Sequence, residues 1–228
     1  AFPKHREPEN LLRALAGVGP SNRTNLEGGL TPYEAVVFWL GGFSDDPKYP
    51  ISGPGGPSFV VNQIEDFSSR QPIHDFDVTR LGPRNDENRF SGRGFTYMLN
   101  GVNRQINLWI YFPQNRTVPF AYFHTPKNPK FDPTHDGVVA IKQLKLNPQN
   151  PAKIGDLRYA NEGKCQILSA GLDDEWGNFV TTMGVNYTLA SSTDASPILL
   201  YPEGPFTMEL ADTITNFSTG MTLKASQP

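Results

Sequence analysis

The sequence predicts an α+β fold, with helices at the front of the chain and antiparallel strands behind them. Three observations carry this expectation. The helix start and stop signals all lie before Phe43. Beyond Ser58 the apolar residues recur in short runs bounded by Gly, Pro and Asn. The 228 residues include 21 Gly and 21 Pro, with only 37% hydrophobic residues, so short elements alternate with many turns and long loops. Aromatic residues, at 11%, are too many for a disordered chain. At this length one core can bury roughly 70% of the unfolded surface without a disulfide or metal. Residues 1–228 are therefore read as one globular domain, with a helical part over 1–43 and sheet and loops over 58–228.

The first helix is expected from Pro8 to Gly17, where Leu11, Leu12 and Leu15 share a face. The second begins at Thr31-Pro32-Tyr33-Glu34, a capping box with proline in the first helical position. It continues through Ala35-Val36-Val37-Phe38-Trp39-Leu40 and stops at Gly41-Gly42. So apolar a helix needs cover on most sides, which a sheet would provide. A loop rich in Pro and Gly follows over Asp45 to Ser58.

Phe59 to Ile64 fits either a strand or a short helix. Thr96 to Leu99, Ile106 to Phe112 and Pro119 to Phe123 read as antiparallel strands, with a turn at Asn100-Gly101. In the middle run Leu108, Ile110 and Phe112 alternate with Asn107, Trp109 and Tyr111, giving an aliphatic and a mixed face. Residues 125–136, with three prolines, form another loop. Val138 to Leu146 is ambiguous between helix and strand. Cys165 to Leu168 and Phe179 to Met183 flank an acidic turn.

Charge and motifs exclude several classes. The net charge is −3, without a basic run, so nucleic acid is not an expected partner. No apolar stretch approaches the ~20 residues of a membrane-spanning helix. Ala1 to Arg6 read as neither signal peptide nor anchor, leaving either a soluble chain or an anchor removed upstream. Cys165, the single cysteine, reads as a small buried hydrophobe. His74, Asp75 and Asp77, and likewise His124 and His135, lack zinc-ligand spacing and stand beside no nucleophile. Asp77 and Arg80 are expected to pair and organise a loop, although Asp75, Asp77 and Asp86 could also hold a cation. Four Asn-x-Ser/Thr sequons, at Asn22, Asn115, Asn186 and Asn216, are explained by chance in a chain rich in Asn and Thr. An enzyme is not expected.

The densest chemistry lies in Gln166-Ile167-Leu168-Ser169-Ala170-Gly171-Leu172-Asp173-Asp174-Glu175-Trp176-Gly177. Three consecutive carboxylates sit in a turn bracketed by glycines. Calcium takes six to eight oxygens at about 2.3–2.6 Å from carboxylates and carbonyls, and such a turn offers both. The plainer reading is a turn whose acids stay solvated. A second segment, Ala211-Asp212-Thr213-Ile214-Thr215-Asn216-Phe217-Ser218, favours the cation.

Together the two segments resemble the C-terminal calcium loop of the major pseudopilins of type II secretion systems. In that family a Ser-x-Gly-x-Asp-Gly turn is followed by Asp-Asp-Ile-x-Asn-Trp. Ser169 to Asp173 matches the first part, with Asp174 in place of the family's glycine. Asp212 to Phe217 matches the second, with Thr213 for the second acid and Phe217 for Trp. The stretches Leu30 to Phe43 and Asp75-Phe76-Asp77-Val78-Thr79-Arg80-Leu81 resemble segments of bacterial type IV pilin-like proteins, as do the Gln166 to Asp173 turn and Thr215-Asn216-Phe217-Ser218.

The resemblance implies a pilin-like head, its N-terminal helices packed on an antiparallel sheet with long loops and a C-terminal calcium loop. It implies carboxylate ligands at Asp173 and Asp212 and carbonyl ligands at Ala170 and Ile214. The loop between the two segments is longer than in the family, so ligands from 174–211 are unassigned, and Asp174 and Glu175 either compensate or face solvent. Pilins begin with a processed apolar helix bearing glutamate at its fifth position; that helix is not seen here, which makes the chain resemble a soluble ectodomain. The implied function is structural, as a subunit of an extracellular filament or type II secretion pseudopilus. Partners would be copies of itself or other pilin-like subunits, with membrane contact only through the missing helix. The implied location is the periplasm, the cell surface or the extracellular space. The alternative is a secreted carbohydrate- or surface-binding module, which the aromatic content and long loops would suit.

Overall fold

The computed structural model describes residues 3–16, 29–57, 60–61, 64–65, 71–86, 91–125, 138, 140–144, 157–176, 201–202, 206 and 208–226. The chain forms two compact units, Ala1–Gln114 and Asn115–Pro228.

In the first unit, α1 (Glu9–Leu15) starts after Pro8 and closes at Ala16, one residue before the expected glycine. Leu11 and Ala14 are buried. Just ahead of it the buried Glu7 carboxylate accepts hydrogen bonds from Ile51 N (2.6 Å), Ser52 N (3.0 Å) and Ser52 Oγ (2.7 Å), which ties the chain start to the Pro/Gly loop. The second helix, α2 (Pro32–Leu40), is capped as its sequence requires: Glu34 N donates to Thr31 Oγ1 (3.2 Å) and Thr31 N donates to Glu34 Oε2 (2.9 Å). The same carboxylate receives a two-pronged contact from Arg93, Nε to Oε1 at 2.8 Å and Nη2 to Oε2 at 2.7 Å. That geometry satisfies a carboxylate which its helix has buried.

The strands of this unit are β1 (Val60–Val61), β2 (Ile64–Glu65), β3 (Leu81–Gly82), β4 (Gly94–Leu99), β5 (Val102–Asn107) and β6 (Ile110–Tyr111). In the ambiguous run Phe59 to Ile64, Val60–Val61 is a short strand paired antiparallel with Ile64–Glu65. The β4–β5 hairpin closes from Leu99 to Val102 across Asn100 (φ 51°) and Gly101 (φ 78°), both left-handed as a tight primed turn demands. The strand expected over Ile106 to Phe112 is corrected. β5 ends at Asn107, Leu108 N donates to Arg93 O (3.0 Å), and Leu108 and Trp109 are both buried in succession. Alternation lasts only while one partner strand continues, and here the chain leaves β4 to pair with β3. α2 lies against β6. Leu11, Ala14, Phe38, Ile51, Phe95, Tyr97, Ile106 and Leu108 form the core cluster.

The second unit holds β7 (Ala121–His124), β8 (Lys142–Leu144), β9 (Leu157–Tyr159), β10 (Cys165–Ser169), α3 (Met208–Ala211) and β11 (Ile214–Thr215). β10 is the centre of a three-stranded antiparallel sheet ordered β11-β10-β7, and β8 pairs with β9. The ambiguous run from Val138 is thus a strand over 142–144. Gln166 is fully buried; its amide nitrogen donates to Ile141 O (2.6 Å) and Ala160 O (2.7 Å), and its oxygen accepts from Ile141 N (2.8 Å). Ala121, Leu168, Ala170, Leu210 and Leu223 are buried apolar residues of this unit.

The α+β class holds, and the strand pairs among the described residues are all antiparallel. Their sheets are small, of two or three strands. Two further expectations change. A helical turn, α3, stands near the C-terminus, where none was expected. Cys165 is half-buried, because it begins β10 at the sheet's end beside His124. Phe179 to Met183 lies outside the described residues.

Candidate functional site

The two acidic segments meet through the β10–β11 pairing, in which Leu168 faces Thr215 and Ser169 faces Ile214. Asn216 lengthens this contact beyond β11. Its N donates to Ile167 O (3.3 Å), while its side-chain oxygen accepts from Ile167 N (3.0 Å) and its amide donates to Cys165 O (3.3 Å). Phe217 stands edge-on to Tyr201 at 5.3 Å.

This register sets Asp212, just after α3, against the turn that leaves β10. Asp212 Oδ2 accepts from Leu172 N at 2.6 Å across 40 residues of sequence. Gly171 sits at φ +89°, and a Cβ there would land on the Asp212 carboxylate. Both facts require glycine at this position. The other oxygen, Asp212 Oδ1, is buried without a hydrogen-bond partner among the described residues. So is the hydroxyl of Thr213, which is itself fully buried. Buried polar atoms of this kind ordinarily find a partner, and a bound ion is one way to supply it.

The remaining acids of the turn are otherwise employed. Asp173 is exposed, and its Oδ1 accepts from Glu175 N (3.0 Å) in a local turn. Asp174 has a left-handed backbone, φ +64°, at the position where the resemblance places glycine. Its Oδ2 accepts from Thr117 N (2.6 Å) and Thr117 Oγ1 (2.8 Å), and its Oδ1 from Val118 N (3.4 Å). The backbone bond from Thr117 holds the Asp174 carboxyl below its ordinary range, aided by the Thr117 hydroxyl, Val118 N and the Arg116 charge and opposed by partial desolvation. Glu175 is exposed.

Asp212 Oδ1 is the one carboxylate oxygen of the two segments, among the described residues, that is buried with its acceptor capacity unused, which is what a cation ligand would require. Among the described residues, no group of three or more His, Cys, Asp or Glu side chains gathers to hold a metal. Of the carbonyl ligands that the resemblance implies, Ile214 stands opposite Ser169 in the β10–β11 pair and Ala170 follows Ser169 directly; residues 177–200 lie outside the described residues.

The weaker candidates have structural employment. His74 stands edge-on to the Phe76 ring at 4.8 Å, and its backbone N donates to Leu40 O (3.0 Å). Asp77 caps the short 3-10 turn Val78–Arg80 by accepting from Thr79 N (3.0 Å) and Thr79 Oγ1 (2.7 Å). Thr79's hydroxyl, then its backbone, lower the Asp77 pKa, with a smaller help from Arg80 and an opposing desolvation contribution. The expected Asp77–Arg80 pairing is corrected accordingly. The Arg80 guanidinium covers the Tyr111 ring at 4.4 Å, and Nε donates to Phe112 O (2.8 Å).

Sequence reasoning missed the partner of Asp174. In sequence the segment Asn115-Arg116-Thr117 reads as a sequon alone, yet Thr117 binds Asp174 and Arg116 Nη1 donates to Leu172 O (2.5 Å). The available signal was an aspartate replacing a turn glycine, since Asp is among the few residues that tolerate a left-handed backbone. Comparison with protein-family models, curated proteins and solved structures gives no match.

Proposed function

We propose that this chain is the pilin-like head of an extracellular filament subunit or type II secretion pseudopilin, held together at its C-terminal end by a structural calcium ion. The reading rests on one observation above others. The turn after β10 and the segment around Asp212 come together with a buried carboxylate oxygen left unpartnered among the described residues. Calcium bound there would neutralise that oxygen and join segments 40 residues apart. Asp212 would be the anchoring ligand, with the Ala170 and Ile214 carbonyls as further donors. The role is non-catalytic, played outside the cytoplasm, in the periplasm or at the cell surface, among copies of itself or other pilin-like subunits. Order of the sequence motifs and the αL turn at Gly171 support the resemblance on which the filament role depends.

The test is thermal melting in calcium and in chelator, on protein confirmed to be metal-loaded beforehand. At about a hundredfold over Kd, a site binding only the folded state adds ~2.7 kcal/mol, a rise of roughly 5–10 °C for a chain of this size. Asp212→Ala removes most of that rise. Superimposable melting curves in calcium and chelator would refute the site. Co-assembly with other pilin-like subunits tests the filament role separately.

A further inference from the structure

Beyond the buried Ala170, the turn 171–174 is held by polar ties. Its one large apolar side chain, Leu172, is 71% exposed. The Leu172 peptide N–H goes to Asp212 (2.6 Å), and the Leu172 carbonyl accepts from Arg116 (2.5 Å). Two residues on, the Asp174 carboxylate takes three donors from Thr117 and Val118. The 115–118 segment and Asp212 therefore grip the same turn at Leu172, and Asp174 is the larger part of the 115–118 grip.

We propose that Asp174 is a positioning residue rather than a ligand: by clamping 115–118 to the turn, it presents the turn to Asp212, so that cation binding and order in 115–118 are reciprocally coupled. The inference rests on the cation reading of Asp212. A ligand that binds only the formed turn must also stabilise whatever else holds the turn, and the coupling is equal in both directions. The aspartate that replaces glycine here exchanges backbone ease at φ +64° for this second grip.

The experiment titrates the whole chain with calcium by calorimetry and follows trypsin cleavage after Arg116 with and without calcium. The variants are D174G, D174A and D174N, each checked for folding by circular dichroism. In D174G, which frees the backbone while removing the clamp, and in D174A, calcium binds about tenfold more weakly, inside the 5- to 150-fold span common for coupled sites. Calcium slows cleavage at Arg116 in the wild type, and that protection drops by the same factor in the variants. D174N keeps an acceptor for Thr117 and falls between. A wild type that binds no calcium overturns the cation reading and the coupling together. Equal calcium affinity in wild type and D174G overturns the coupling alone, leaving the site standing. A lower melting temperature with unchanged affinity and unchanged protection of Arg116 marks a merely structural role and also overturns it. Should the first two variants fail to fold, D174N decides: affinity equal to wild type, with calcium protection of Arg116 unaltered, refutes the proposal.

Discussion

Consider Gly171→Ala, measured in chelator so that no cation contributes. The residue sits at φ +89°, and an added methyl would occupy the place of the Asp212 carboxylate. Holding alanine in a left-handed conformation costs about 1–2 kcal/mol. Stiffening the unfolded chain returns roughly 0.4–1 kcal/mol of that. The methyl also pushes Asp212 away from Leu172 N, and a hydrogen bond to a charged group contributes about 1.5–3 kcal/mol, the lower end applying at this exposed N–H. The expected net loss is therefore about 2–3 kcal/mol, read from urea unfolding midpoints at constant slope. The double variant with Asp212→Ala makes the reasoning sharper. With the carboxylate gone the methyl has room, so the two substitutions together cost clearly less than their sum. A Gly171→Ala protein within 0.5 kcal/mol of wild type, or a strictly additive pair, would contradict the contact between turn and carboxylate.

Three further outcomes follow from the same structure. Gln166→Leu keeps the volume of a fully buried side chain but strips Ile141 N and Ala160 O of their partner, while Ile141 O keeps its bond from Ala160 N. A loss of about 3 kcal/mol or more is expected, with faster hydrogen exchange at the Ile141 amide; unchanged exchange there would count against the assigned network. Glu34→Ala removes the return half of the α2 capping box, the bond from Thr31 N, and the carboxylate that receives Arg93, while the Thr31 Oγ1 cap stays. Since Arg93 remains partly exposed, the cost is about 2–3 kcal/mol rather than that of a fully buried pair, and denaturant titration beside Arg93→Ala should show the two losses overlapping instead of adding. For Asp77, the folded-state pKa lies below the unfolded value, so its contribution is present above the unfolded carboxylate pKa near 3.8 and is lost as pH falls through the lower folded value. The melting-temperature gap between wild type and Asp77→Asn should then be constant near neutral pH and close in acid; a gap that widened below pH 4 would reverse the sign.

Local rules of chemistry made part of this protein legible in advance. The Thr31 capping box, the helix it starts and the Asn100-Gly101 turn depend on residues within a few positions of one another, and each stands where its sequence places it. Pairing of the acidic turn with the Asp212 segment was legible only through a resemblance, because no period or propensity links residues 40 apart. The broken strand at Leu108 was not legible, since its alternation is equally compatible with one long strand and with two short ones that change partners.

By itself the sequence determined the α+β class, the helix cap and the tight turn at Asn100-Gly101. Only the tertiary structure decided which carboxylate stands buried and which is spent on neighbours. Asp173, Asp174 and Asp212 are chemically alike; Asp173 closes a local turn, Asp174 grips Thr117 and Val118, and Asp212 keeps one oxygen unpartnered among the described residues. Those fates depend on donors brought from 56 or 57 residues away and on burial created by β11, and neither exists until the chain has folded.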